Sequence, residues 1–304
     1  KGVKGLYKLY RELKKQYQFD AIADLHNVLR SKLISFLFKT AGIKIASIDK
    51  GRKEKKQLTA KEDKKMVQLK TSFQRYAEVF TTLGLGLSLD TAQQPFAKQE
   101  LPSAVATLFN PIKKNICIAP FAKHEEKMYP LAKMKSVVKK LWENKQYQVF
   151  LLGGGKQETT ILNDWEKEFA GVINLAGKFS FKEELSIISH MNTMVSMDSA
   201  NMHLASLFGV PVVSVWGATH PFAGFYGWAQ VSDNAVQIDL YCRPCSVFGN
   251  KPCYRGDHAC MQQLPEEKII EAARLYAEGP SLLWLGQGFQ RQRLGGNAMR
   301  AAAL

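Results

Sequence analysis

The residues best suited to chemistry lie in one short stretch, Ser196-Met-Asp198-Ser199-Ala200-Asn-Met-His203-Leu-Ala205, at a strand-to-helix junction. Asp198 is followed by small residues that let a ligand approach the backbone. A helix opening near Ser199 would aim unpaired N–H groups and a positive dipole end at the same place, which suits a diphosphate. His203 lies just over one turn into that helix and could face the same cleft. A purely structural reading also fits: Asp198 as an N-cap and His203 as a satisfied, half-buried residue.

Three further loops have polar chemistry. Gly153-Gly-Gly155-Lys156-Gln-Glu158 follows an apolar run. Its glycines permit close backbone approach, and Glu158 could accept hydrogen bonds from ribose hydroxyls. It is not the G-x-G-x-x-G dinucleotide fingerprint, and Glu158 also suits the first turn of a helix for electrostatic reasons alone. Pro120-Phe-Ala-Lys123-His124-Glu-Glu-Lys127-Met-Tyr129-Pro130 offers Lys123, His124 or Lys127 to a phosphate. Trp216-Gly217-Ala-Thr219-His220-Pro221 offers a hydroxyl next to a glycine. Four polar loops at one edge of one sheet argue together for a site.

The elements that must position these loops alternate in type. Apolar runs at 115–119, 148–152, 172–175, 193–197 and 210–216 read as strands. Between them, apolar residues recur every three or four positions at 130–143, 158–169, 181–191 and 199–208, as on helix faces. Strands apolar on both faces and alternating with helices predict a parallel sheet covered on both sides. That is a Rossmann-like doubly wound domain, with ligands outside the carboxyl ends of the strands.

The earlier part is thinner. It has a Lys-rich helix at 3–17, strands at 19–25 and 43–48, and helices at 31–40 and 71–83, with a Pro-punctuated linker at 87–110. The division expected is a partial N-terminal unit with linker at 1–110, a nucleotide-binding unit at 111–280 that includes a helix at 265–277, and a Gly-, Gln- and Arg-rich tail at 281–304 of doubtful structure.

Composition narrows the partners. The formal net charge is +15 over 304 residues. Residues 1–110 hold 21 Lys/Arg against 10 Asp/Glu, a net of +11. Such an excess attracts phosphorylated substrates, anionic lipid or nucleic acid. Nucleic acid is disfavoured, because the basic run at 50–65 contains no aromatic residue to stack on bases. No stretch reaches the ~20 uncharged apolar residues of a membrane span, and nothing reads as a signal peptide. The expectation is a cytoplasmic protein, peripheral on the inner face of the membrane. Cys242, Cys245, Cys253 and Cys260 cluster with only one Cys-x2-Cys pair, so reduced thiols are expected rather than a zinc site.

The four loops, in this order, resemble those of the heptosyltransferases, family nine of the glycosyltransferases. The similarity is most specific at Asp198-Ser-Ala-x-x-His203-Leu-Ala, at Phe-Gly-Val-Pro-Val-Val and at Trp-Gly-Ala-Thr-His-Pro. It extends to Asp20-Ala-Ile-Ala-Asp-Leu-His-Asn-Val-Leu-Arg-Ser31 and to the Cys run ending at Met261. The resemblance implies a GT-B fold, two Rossmann-like domains facing a cleft, here with the first incomplete at its N-terminus. It implies that Lys127 contacts phosphates, Glu158 holds the ribose and Asp198 approaches the donor sugar. Ser199 and Ala200 would offer N–H groups to the diphosphate, His203 would sit beside it, and Thr219 would complete the donor set.

The implied reaction is an inverting transfer from a nucleotide sugar, usually ADP-heptose, to a lipopolysaccharide-core glycolipid, with no cofactor or required metal. The resemblance implies a general base in an opening Gly-Asp loop that this sequence does not contain, so the catalytic base is unassigned. Two alternatives remain: a non-catalytic or truncated sugar-nucleotide-binding protein, and a GT-B sugar-nucleotide epimerase.

Overall fold

The computed structural model describes residues 2–89, 95–230 and 234–279, and the tail at 281–304 lies outside them. The chain opens with α1 (Val3–Gln16), β1 (Ala21–Asp24), α2 (Leu29–Thr40) and β2 (Lys44–Ser47). It continues through α3 (Arg52–Leu58), α4 (Ser72–Thr82) and α5 (Ser103–Ala106). Then come β3 (Lys114–Ala119), α6 (Leu131–Glu143), β4 (Tyr147–Leu151), α7 (Gly155–Glu168), β5 (Ile173–Asn174) and α8 (Phe181–Ser189). The described chain closes with β6 (Thr193–Met197), α9 (Ala200–Leu207), β7 (Val212–Val215), β8 (Ala235–Val236), α10 (Ala259–Gln262) and α11 (Glu266–Glu278).

The larger sheet has six strands, all parallel, in the order β5-β4-β3-β6-β7-β8. Its two faces explain why its strands read as unbroken apolar runs. Along β3, Ile116 and Ile118 enter a core shared with α6, α7 and α11, while Cys117 and Ala119 enter the opposite core with α8 and α9. All four are fully buried. Period-two alternation therefore sorts side chains between two cores rather than between core and water.

The smaller sheet pairs β1 and β2 in parallel, with Ala21 opposite Lys44. Ala46, Ile48, Val79 and Leu83 form its core against α4. Thr71 caps α4 by accepting from the Gln74 N–H, and Gln74 returns a bond to the Thr71 N–H.

The element types follow the expected pattern, with four differences. Helix α7 starts at Gly155, not 158, so the last glycine of the Gly-Gly-Gly run belongs to the helix. The basic run at 50–65 holds the helix α3, whose Leu58 is fully buried although its neighbours are polar. The segment expected as a linker carries α5 and packs on the larger sheet: Val105 is fully buried in the core that holds Cys117. Short β8 and α10, set in irregular sequence, had no periodic signal long enough to show them.

Candidate functional site

The strand order itself opens a crevice. From β3 the chain steps outward through β4 to β5, then returns to the other side of β3 and steps outward again through β6, β7 and β8. The order reverses between β3 and β6, and loops leaving two such strands diverge to opposite faces. Lys127 is on the loop after β3 and Asp198 immediately follows β6, so the two residues flank the reversal.

They meet there. Lys127 Nζ lies 2.8 Å from Asp198 Oδ2 and 3.3 Å from the Asp198 carbonyl oxygen. The pair is largely out of water, with side chains 15% and 7% exposed. Thr219 Oγ1, on the loop after β7, donates to the same Asp198 Oδ2 at 2.9 Å, and Thr219 is buried. One carboxylate oxygen thus ties three strand-end loops together.

Backbone geometry sets Lys127 in place. It ends a single 3-10 turn at Glu125–Lys127, and its stem runs under Gly249. Gly249 has φ +70°, and a Cβ there would fall 2.6 Å from Lys127 Cγ, so neither the dihedral nor the space admits another residue.

The helix behind Asp198 begins one residue later than an Asp198 cap would require. Ser199 is the N-cap of α9, in extended conformation, and its side chain makes no capping bond. Its Oγ lies 3.2 Å from Ser196 Oγ instead. Ala200, the first helical residue, is exposed. The N-cap side chain thus leaves the N–H groups of this first turn, which directly follow Asp198 in the chain, without a capping acceptor. The purely structural reading of Asp198 as N-cap is therefore replaced: its carboxylate serves Lys127 and Thr219.

His203 is on the same helix, within electrostatic reach of both partners. Burial pushes its pKa down; Asp198 opposes that and Lys127 adds to it, leaving the ring neutral at neutral pH. Lys127, Asp198, Ser199, Ala200, His203 and Thr219 thus share one neighbourhood.

Glu158 is held elsewhere on the same rim. Its Oε2 accepts from the Gly154 N–H at 2.8 Å and lies beside Gly153, which also abuts Phe121 after β3. It closes the start of α7, one strand over from Lys127. Lys123 is exposed and His124 precedes the 3-10 turn. His220 faces its own loop: its Nδ1 accepts from the Phe222 N–H at 3.1 Å.

Sequence reasoning missed Glu126 and Arg243. Glu126 is the residue before Lys127; its carbonyl accepts from Ala218 N–H, and its carboxylate accepts from Cys253 N–H and faces His258. Arg243 is buried among cysteines that remain free thiols. Among the described residues, no group of three or more His, Cys, Asp or Glu side chains is arranged to hold a metal ion. A lone Arg in an irregular stretch gives no periodic signal, so only its burial identifies it.

Over 135 residues the chain is 29% identical to lipooligosaccharide heptosyltransferase 2 of Campylobacter jejuni, a match spanning 43% of this chain and 41% of that relative. Over 231 residues it is 25% identical to the lipopolysaccharide core heptosyltransferase OpsX of Haemophilus influenzae, spanning 72% of this chain and 63% of the relative. The matched stretches thus span less than two thirds of these relatives' lengths. The fold matches that of the Escherichia coli heptosyltransferase WaaC with ADP, at TM-score 0.57 and 18% identity over 90% of this chain and 78% of that one. A glycosyl transferase family 9 protein from Veillonella parvula matches at TM-score 0.64 and 19% identity, over 91% and 78% of the two chains. The larger sheet and its helices are therefore the α/β, GT-B-type arrangement of these proteins. The model for glycosyltransferase family 9 (heptosyltransferase) matches residues 6–253, half of the chain and well beyond, and the chain belongs to that family.

Proposed function

We propose that this protein is an inverting glycosyltransferase that takes a nucleotide sugar, ADP-heptose in the first instance, and passes its sugar to a glycolipid of the lipopolysaccharide core. The observation that carries the reading is the convergence of Lys127, Asp198 and Thr219 at the N-terminus of α9, where the strand order reverses. A desolvated ammonium next to unpaired helix N–H groups is suited to a diphosphate. The solved heptosyltransferase named above is a structure with ADP, which supports this ligand class.

In this reading the diphosphate takes Lys127 over from Asp198 and accepts from the N–H groups at Ser199 and Ala200. Asp198, freed from the lysine but still held by Thr219, turns to the sugar hydroxyls. Glu158 holds the ribose at the adjoining strand end. As the bond between the anomeric carbon and the phosphate oxygen breaks, charge builds on that oxygen, where Lys127 and the helix end stabilise it. The acceptor oxygen bonds to the opposite face of the same carbon and gives its proton to a base. Neutral His203 adds no charge of its own to the pocket.

The basic first part serves the acceptor side. Lys4, Lys8, Arg11, Lys14 and Lys15 of α1 are solvent-exposed, and a helix that buries none of its residues leaves them all to an anionic surface. No described helix is long and apolar enough to cross a membrane. Peripheral attachment at the cytoplasmic face fits a phosphorylated glycolipid acceptor.

Calorimetric titration with ADP, UDP and GDP and with their sugars tests the donor. ADP-heptose should bind best, and Lys127→Met should weaken ADP by roughly 10- to 100-fold, the worth of a charge-assisted hydrogen bond. Binding of none of the panel, or binding indifferent to Lys127→Met, overturns the reading. Sugar transfer to a deacylated core oligosaccharide, absent from an Asp198→Asn variant, tests the reaction.

A further inference from the structure

We infer that Arg243 is a positioning residue of this site, setting its preference for the sugar-bearing donor over the bare nucleotide; the inference rests on the donor reading above. Its side chain is buried and lies outside the four loops that form the crevice. Four of the five N–H groups of its guanidinium are bonded. Nε donates to the Gly217 carbonyl at 2.5 Å and one terminal nitrogen to the Ile238 carbonyl at 2.5 Å. The other donates to the Thr219 carbonyl at 3.0 Å and to Gln237 Oε1 at 2.8 Å.

These bonds single out the loop that leaves β7. Its successive carbonyls at Gly217, Ala218 and Thr219 are all capped from one short segment: the first and third by Arg243, the second by the Cys245 and Ser246 N–H groups. The backbone of Thr219 is therefore fixed from behind by a planar fork. Its hydroxyl reaches forward to Asp198 Oδ2, the oxygen that also meets Lys127. Arg243 acts through Thr219 on the direction of one carboxylate, with no contact to the ligand. A lysine has one point of charge and cannot bridge acceptors in these separate directions.

Two consequences distinguish this from mere support of the fold. Lys127 keeps its own 3-10 turn and the packing of its stem against Gly249, although the same loop also bonds the Glu126 carbonyl, so most of the diphosphate grip survives loss of Arg243. Only the part of binding that uses Asp198 against the sugar is lost. Arg243 and Thr219 also form one chain, so their effects do not add.

The test is calorimetric binding of ADP and of ADP-heptose to wild type, Arg243→Lys, Thr219→Val and the double variant. Wild type should prefer ADP-heptose. Each single variant should reduce that preference about tenfold, and Arg243→Lys should do so with its ADP affinity within about twofold of wild type. The double variant should match the singles. Equal weakening of both ligands, unchanged preference, or additive losses overturns the role of Arg243. A wild type without preference for ADP-heptose overturns the donor reading instead. Should Arg243→Lys fail to fold, as a thermal melt would show, Gln237→Leu removes one acceptor from the fork more gently. It should lower the preference in the Thr219 background and leave it unmoved in Thr219→Val; any other result overturns the role.

Discussion

At Lys127 the proposed function sets two anions in competition. Asp198 already supplies the anion that a diphosphate would otherwise supply, 2.8 Å from the ammonium. Removing that charge has opposite effects on two ligands. Asp198→Asn should bind ADP at least as tightly as wild type, because nothing anionic then occupies Lys127. The same variant should bind ADP-heptose roughly tenfold more weakly, since a neutral amide is a poorer acceptor for sugar hydroxyls than a carboxylate. Parallel titrations decide this, and a parallel fall for both ligands would place Asp198 in support of Lys127 rather than against the sugar. The residue types of this cluster were legible from spacing after each strand, because strand ends are where such sheets bind ligands. The bond between Lys127 and Asp198 was not legible. Their separation of 71 residues leaves no local signal, and only the strand order brings them together.

Among the elements, the 3-10 turn Pro221–Ala223 gives the clearest pH dependence. His220 caps it by accepting from the Phe222 N–H through Nδ1, which must therefore carry no proton. Burial first, and then the charge of Arg243, push the His220 pKa down to about 4. In the unfolded chain it titrates near about 6.5. On acidification the unfolded chain takes up a proton that the folded chain refuses until about pH 4. This contribution to stability is therefore complete above about pH 6.5 and is lost as the pH falls to about 4. His220→Asn keeps an acceptor for the cap and has no titration. Chemical denaturation at pH 7 and pH 4.5 should show a larger loss for wild type than for the variant. Element boundaries were read well where apolar periodicity was long, as in α6 and β6. They were missed where one buried residue did the anchoring: Leu58 in α3 and Val105 in α5 sit in polar or Pro-rich surroundings. The early start of α7 has a different cause. Glu158 reaches back to the Gly154 N–H and so extends the helix into glycine, the residue least expected to begin one.

Across the whole molecule, residues 55–73 form a strap that joins the first part of the chain to the loops around the site. Lys64 Nζ donates to the Cys242 and Pro244 carbonyls, both at 2.8 Å, flanking Arg243. The Leu69 and Ser72 N–H groups donate to the Phe222 and Gly224 carbonyls, and Phe73 sets its ring edge-on to Trp228. Lys55, pushed down to about 8 by burial and then by Arg75, lies over the Phe225 ring, and Lys61 over Tyr254. The basic run without aromatics thus finds its aromatic partners in the later part of the chain. Gly224 marks how closely the strap lies: at φ +82°, a Cβ there would fall 2.3 Å from the Lys70 carbonyl oxygen. Lys64→Met should release the strap, and amide exchange at Leu69 and Ser72 should quicken by roughly tenfold, as expected for loss of a charged hydrogen bond. Binding to vesicles of anionic lipid should weaken steeply as salt rises, because exposed charges are screened beyond about 8 Å at 0.15 M. Binding indifferent to salt would remove the electrostatic case for membrane attachment. The central place of β3 has a further consequence, for how the protein folds. Its β4 side can pair after the single crossover through α6, but its β6 side meets its partner only after β4, β5 and the helices α6, α7 and α8 have been made. The proposed nucleotide grip would therefore assemble late and from distant chain, so on refolding helical signal should return before the ability to hold ADP.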